Sequence, residues 1–140
     1  MILFCDTSAL FKLYISEPDS DLVRVQRAHA DAVVVCRITW AEAHAAFARR
    51  LREIPENEQS IGIAKVAMAR DWPHFGVFEV TQDVVERAGE YADVFALRGY
   101  DSVQLATAYE VANISQTEIV FACFDTRLNK AAKTLGMRCL

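Results

Sequence analysis

At 140 residues, 53% of them hydrophobic and 24% charged, the chain has the composition of one globular domain and not of a disordered segment. A net charge of −4 and a pI near 5.3 argue against broad coating of nucleic acid, though they leave room for a local basic rim. No apolar run approaches the ~20 residues of a membrane span, and the start MILFCD lacks the basic segment of a secretory signal. A cytoplasmic protein without membrane attachment is therefore expected.

The first predicted element is the apolar run Ile2–Cys5, which ends abruptly at Asp6. A helical stretch follows, and Pro18 closes it. Val33–Cys36 reads as a second strand. After it Trp40, His44, Phe47 and Leu51 fall at i, i+4, i+7 and i+11, the stripe of an amphipathic helix. Pro55 starts another helix near Glu56, and Pro73 stops that one. Val77–Val80 is the third strand. Val84, Ala88, Tyr91 and Phe95 repeat the helical spacing, Gly99 interrupts it, and Leu105, Ala108 and Ala112 resume it. Ile119–Phe124 and, beyond Gly136, Met137–Leu140 complete the strands.

These strands are rich in β-branched and aromatic residues and lack polar alternation, which suits a parallel sheet covered on both faces. Strands alternating with helices predict an α/β fold. It is a three-layer α/β/α sandwich with a mostly parallel central sheet of about five strands, forming one domain over residues 1–140.

Metal-binding cysteine or histidine spacings are absent. Cys5, Cys36, Cys123 and Cys139 sit in or beside apolar runs and read as reduced, buried thiols. His29, His44 and His74 show no HExxH-like pairing.

The chemistry rests on four acids. Asp6 and Asp125 follow the first and fourth strands, Asp101 opens a helix after Gly99-Tyr100, and Glu42 lies in the first turn of the helix after Val33–Cys36. Each has a plain structural explanation. Asp is a preferred helix cap, Thr39-x-x-Glu42 fits a capping box, and Asp101-x-x-Gln104 is a looser relative of one. Together they point elsewhere. The carboxyl ends of parallel strands share one edge, where open α/β folds place their sites; Asp6 and Asp125 belong at that edge and the helix starts at Glu42 and Asp101 can join them, so one pocket holding four carboxylates is expected. Ser8 and Thr126 add hydroxyls beside two of them.

Two unit charges ~5 Å apart at an effective dielectric near 20 repel by about 3 kcal/mol. Helix N-termini offset only ~0.3–1 kcal/mol each. Either some acids are protonated or a cation sits among them, and an all-oxygen donor set favours Mg²⁺ or Mn²⁺. Other phosphoryl-transfer folds fit less well. Aspartate-nucleophile phosphatases need Asp-x-Asp after the first strand, where this chain has Ser8, and receiver domains need a lysine at a late strand end that Met137–Leu140 does not offer.

Four stretches, FCDTSALFKLYISEPDSDLV, RITWAEAHAAFARRLRE, LRGYDSVQLATAYEVA and FACFDTRLNKAAKTLGMRCL, together resemble the PIN-domain ribonucleases. The resemblance is strongest to the VapC-type toxins of bacterial toxin–antitoxin pairs and spans nearly the whole chain. It implies a catalytic, metal-binding tetrad of Asp6, Glu42, Asp101 and Asp125, with Ser8 and Thr126 as supporting hydroxyls. It further implies a Mg²⁺- or Mn²⁺-dependent endonuclease cutting single-stranded regions of RNA, a homodimer, and a cognate antitoxin whose tail lies near the site. A housekeeping RNA-processing nuclease and a non-catalytic RNA- or protein-binding domain, its acids only capping helices, stay open beside it.

An acidic protein needs local cations to hold RNA. Lys12, Arg37, Arg49, Arg50, Arg98, Arg127, Lys130 and Lys133 lie near the motifs. Arg49, two turns beyond Glu42 on the same helix face, and Arg98, beside Asp101, are the foremost RNA contacts expected. Phe11, Tyr14, Trp40, Phe47, Trp72 and Phe75 read mostly as core by their spacing.

Overall fold

The computed structural model describes all residues, 1–140. Its elements follow the expected order. β1 (Ile2–Cys5) leads to α1 (Thr7–Tyr14) and α2 (Ser20–His29), and β2 (Ala32–Cys36) to α3 (Thr39–Glu53) and α4 (Glu58–Asp71). β3 (Gly76–Phe78) leads to α5 (Gln82–Phe95) and α6 (Gly99–Ile114), β4 (Ile119–Ala122) to α7 (Thr126–Thr134), and β5 (Arg138–Cys139) ends the sheet. None of the helices is long and apolar enough to cross a membrane.

All four strand pairings are parallel, in the order β3-β2-β1-β4-β5. The strands are buried because both faces are covered. On one face Leu3, Val35 and Val120 pack with Leu10, Phe47 and Met68 from α1, α3 and α4. On the other, Phe4 and Phe121 stack at 5.8 Å and meet Ala88, Leu105 and Leu128 from α5, α6 and α7. Period-2 alternation along β1 thus sends Leu3 and Cys5 to one layer and Phe4 to the other. Truncating a fully buried phenylalanine such as Phe4, Phe47 or Phe121 to alanine costs about 3–5 kcal/mol in such a core.

Several boundaries differ from the sequence reading. β3 and β4 stop at Phe78 and Ala122, not at Val80 and Phe124. The reason is pairing: Phe78 faces Cys36, the last residue of β2, and Ala122 faces Cys5, the last of β1. Beyond those residues the apolar runs have no ladder to join. β5 is only Arg138–Cys139. α1 ends at Tyr14, four residues before Pro18, and Pro55 opens a single 3₁₀ turn (Pro55–Asn57) ahead of α4. The four cysteines are free thiols; Cys5, Cys36 and Cys123 are buried as expected, whereas Cys139, on the edge strand β5, is only half-buried.

The strand order places the site. Connections run outward in both directions from β1, so the crevice between β1 and β4 is the topological switch point, where ligands of open α/β sheets bind. Asp6 follows one of these two strands and Asp125 stands just beyond the other.

Candidate active site

Asp6 leaves β1 with its N–H donating to the Ala122 carbonyl of β4 at 3.1 Å, so the backbone pins it at the switch point. It is the N-cap of α1: its Oδ1 accepts from the Ala9 N–H at 2.9 Å and from Ser8 Oγ at 2.7 Å. Ser8 Oγ in turn accepts from the Phe124 N–H at 3.1 Å, tying the α1 turn to the chain beyond β4. Asp6 is 5% exposed. Burial pushes its pKa up to about 6, against the pull of the Ser8 and Ala9 donors and with some help from the Asp101 charge.

Asp125 caps α7 through the Leu128 N–H at 2.8 Å and is exposed, as is Thr126 beside it. Asp101 departs from its sequence reading. The N-cap of α6 is Arg98 and Asp101 sits two residues inside the helix, so it caps nothing. Burial raises its pKa, the Asp125 charge raises it further, and Arg98 counters both.

Glu42 departs too. The N-cap of α3 is Ile38, Thr39 is already helical, and the expected capping box does not form. Instead Glu42 Oε1 accepts from Thr7 Oγ1 at 2.9 Å and from Gln104 Nε2 at 2.8 Å. The Gln104 amide also donates to Thr39 Oγ1 at 2.8 Å. Thr7, Thr39 and Gln104 are site neighbours that sequence reasoning missed. The sequence reads Gln104 only as the end of a loose capping box; a further signal is its long polar side chain among the mostly apolar residues from Val103 to Ala108.

Two adjoining cavities share Arg98 and Asp101. One, of about 880 Å³, is bordered by Arg98, Asp101, Asp125, Thr126, Arg127 and Lys130. The other, of about 640 Å³, joins Glu42, Arg98 and Asp101 to an apolar wall that includes Val85, Ala92 and Val103. Asp6 lines neither.

The expected cations divide sharply. Arg98, Arg127 and Lys130 border the larger cavity. Arg49 does not; it pairs with Glu53 at 2.9 Å, one turn along α3, both side chains exposed. Lys12 and Arg50 are engaged by Glu17, and Arg37 by Glu79.

As the side chains lie, no three Asp, Glu, His or Cys groups close on a single point. The donor set is nonetheless all oxygen. Burial, and to a lesser degree the neighbouring carboxylates, raise the pKa of Asp6 and Asp101, so their charged forms lack full compensation from the protein. That chemistry fits a hard divalent cation, and Mg²⁺ is commonly held by only one or two carboxylates with water completing its shell.

A parallel, doubly wound domain with acids at its switch point is the PIN architecture. Residues 3–134 match the family model of the PIN domain, and the chain belongs to that family. Within it the chain is of the VapC type. It is 33% identical to Ribonuclease VapC45 of Mycobacterium tuberculosis over 141 residues, covering 98% of this chain and 93% of the relative. Among solved structures, the fold is shared with Mycobacterium tuberculosis VapC20, described as a sarcin-ricin loop cleaving toxin. The TM-score is 0.67 at 19% identity, covering 92% of this chain and 94% of that one. A toxin–antitoxin complex from Klebsiella pneumoniae matches with a TM-score of 0.58 at 19% identity, over 86% of this chain and 84% of that one.

Proposed function

We propose that this protein is a Mg²⁺- or Mn²⁺-dependent endoribonuclease that cuts single-stranded regions of RNA and serves as the toxin of a toxin–antitoxin pair. The observation that carries the reading is at Asp101 and Glu42. Neither caps a helix, although each lies in the first turn of one, and both line the cavity beside the switch point. A domain whose acids served only as caps would not place them so.

Asp6, Asp101 and Asp125 are proposed to hold the metal, with Glu42 as fourth acid. When bound, such an ion supplies a water of lowered pKa and neutralises charge on the scissile phosphate. Ser8 orients the Asp6 carboxylate through its 2.7 Å bond, and Thr126 offers a hydroxyl at the cavity wall. Arg98, Arg127 and Lys130 take the flanking phosphates. The VapC relatives and the toxin–antitoxin neighbour support a toxin role with a cognate antitoxin, and a homodimer is proposed with it.

The test replaces charge while keeping shape: Asp6→Asn, Asp101→Asn and Glu42→Gln. Asn keeps the α1 cap at Asp6, and Asp101 and Glu42 cap no helix, so these substitutions leave every helix cap in place. Cleavage of unstructured RNA in Mg²⁺ is expected to fall by about 100-fold or more in each, the equivalent of ~3 kcal/mol of lost transition-state stabilisation. Unchanged rates in all three variants would overturn the assignment.

A further inference from the structure

Glu42 is held by neutral donors and not by a cation. Both its hydrogen bonds, from Thr7 Oγ1 and Gln104 Nε2, fall on Oε1. The Gln104 amide spans Glu42 and Thr39, which are one helical turn apart on α3. A further contact from the amide to Thr7 Oγ1, at 3.4 Å, is marginal. The orientation of the amide follows from these partners. Its two N–H groups match two acceptors, and turning it over would set its carbonyl against a carboxylate.

The consequence is a buried Gln104 Oε1 without a partner. Gln104 is 2% exposed, and its neighbours Leu105, Ala106 and Ala108 are fully buried. A leucine at this position would suit the packing and avoid the orphaned carbonyl, because buried polar groups left unpaired are destabilising. What leucine lacks is a donor for Glu42. Gln104 crosses from α6 to α3 to supply one, and leaves the Glu42 Oε2 lone pairs uncommitted beside the cavity that Asp101 shares.

We propose that Gln104, anchored on Thr39 and aided by Thr7, is the positioning residue that fixes the Glu42 carboxylate for the reaction. This rests on the nuclease reading above. Gln104 does not touch substrate; it acts through Glu42.

The test is a double-mutant cycle on the full chain. Gln104→Leu is expected to lower kcat for RNA cleavage roughly 10- to 100-fold with KM little changed, and to weaken Mn²⁺ binding to the RNA-free protein, read by calorimetry, about tenfold. In the Glu42→Gln background the same substitution is expected to cost less than about threefold, because the group it positions is gone. Thr39→Val, which removes the anchor, moves both readouts in the same direction by less, while Thr39→Ser restores them. If Gln104→Leu does not fold, the Thr39 pair carries the test alone. A loss of kcat or Mn²⁺ affinity that vanishes in the Glu42→Gln background supports the role. Parent-like values of both in a folded variant, or an equal loss in both backgrounds, overturn it. If the parent protein neither binds Mn²⁺ nor cleaves RNA, the nuclease reading falls and this one with it. If the parent cleaves, Glu42→Gln abolishes cleavage and Gln104→Leu leaves it intact, only the positioning role falls.

Discussion

Asp6 combines two tasks on one carboxylate. Its Oδ1 caps α1, and its burial at the switch point raises the cost of its charge. The cap was legible in the sequence because it is local: an Asp before a helix start, three residues from its donor. The capping box offered as the plain explanation of Glu42 does not form, and what holds Glu42 instead was hidden for the opposite reason. Its partners stand 35 and 62 residues away, at Thr7 and Gln104, and a nearby Thr39 offered a false local explanation. The raised Asp6 pKa makes a prediction with a definite sign. A group whose folded pKa lies above its ordinary value of 3.8 stabilises the fold fully only below that value, and the contribution is lost as pH rises through about 6. The chelator-treated parent is therefore expected to lose stability relative to Asp6→Asn between pH 4 and pH 7. The gap should be on the order of 3 kcal/mol, the equivalent of moving the Asp6 pKa from 3.8 to about 6. Asn keeps the cap, so urea melts of the pair isolate the charge. A gap that stays flat with pH would contradict the burial cost assigned to Asp6.

At the scale of elements, the existence and order of strands and helices were legible, but their ends were not. Hydrophobic runs mark where a strand is able to exist, while the partner strand sets where it stops. The apolar run from Ile119 therefore gives a strand only as far as Ala122, opposite Cys5. The break between α5 and α6 was legible at Gly99, but the backbone geometry of the turn was not. It passes through Ala96 in the left-handed region, φ 53° and ψ 43°, with Arg127 donating to its carbonyl at 3.1 Å. A non-glycine residue is strained there. Ala96→Gly is expected to stabilise the protein by about 1 kcal/mol, or ~3–5 °C in Tm, without altering the Arg127 contact. A drop in Tm would show that α5 ends differently. The α7 cap offers a contrasting pair: Asp125→Ala should be about 1 kcal/mol less stable than Asp125→Asn, because only Asn can still accept from Leu128.

For the molecule as a whole, the proposed function raises the question of how a chain of net charge −4 would bind a polyanion. Composition excluded broad electrostatic attraction, and the sequence offered eight cations without ranking them. The fold ranks them by what else they touch. Lys12, Arg37, Arg49 and Arg50 are engaged by acids of their own, Lys133 lines a neighbouring cavity without acids, and Arg98, Arg127 and Lys130 border the cavity that holds Asp101 and Asp125. If these three meet phosphates, single-stranded RNA affinity should fall with salt at a log–log slope of about −2, near −0.7 for each neutralised phosphate. Each of Arg98→Ala, Arg127→Ala and Lys130→Ala should reduce that slope by about 0.7, while Arg49→Ala leaves it as it was. Binding measured in a non-cleaving Asp101→Asn background separates grip from chemistry. A slope near zero, or one that moves with Arg49 and not with Arg98, would place the RNA path along α3 instead of over the mouth of the switch point.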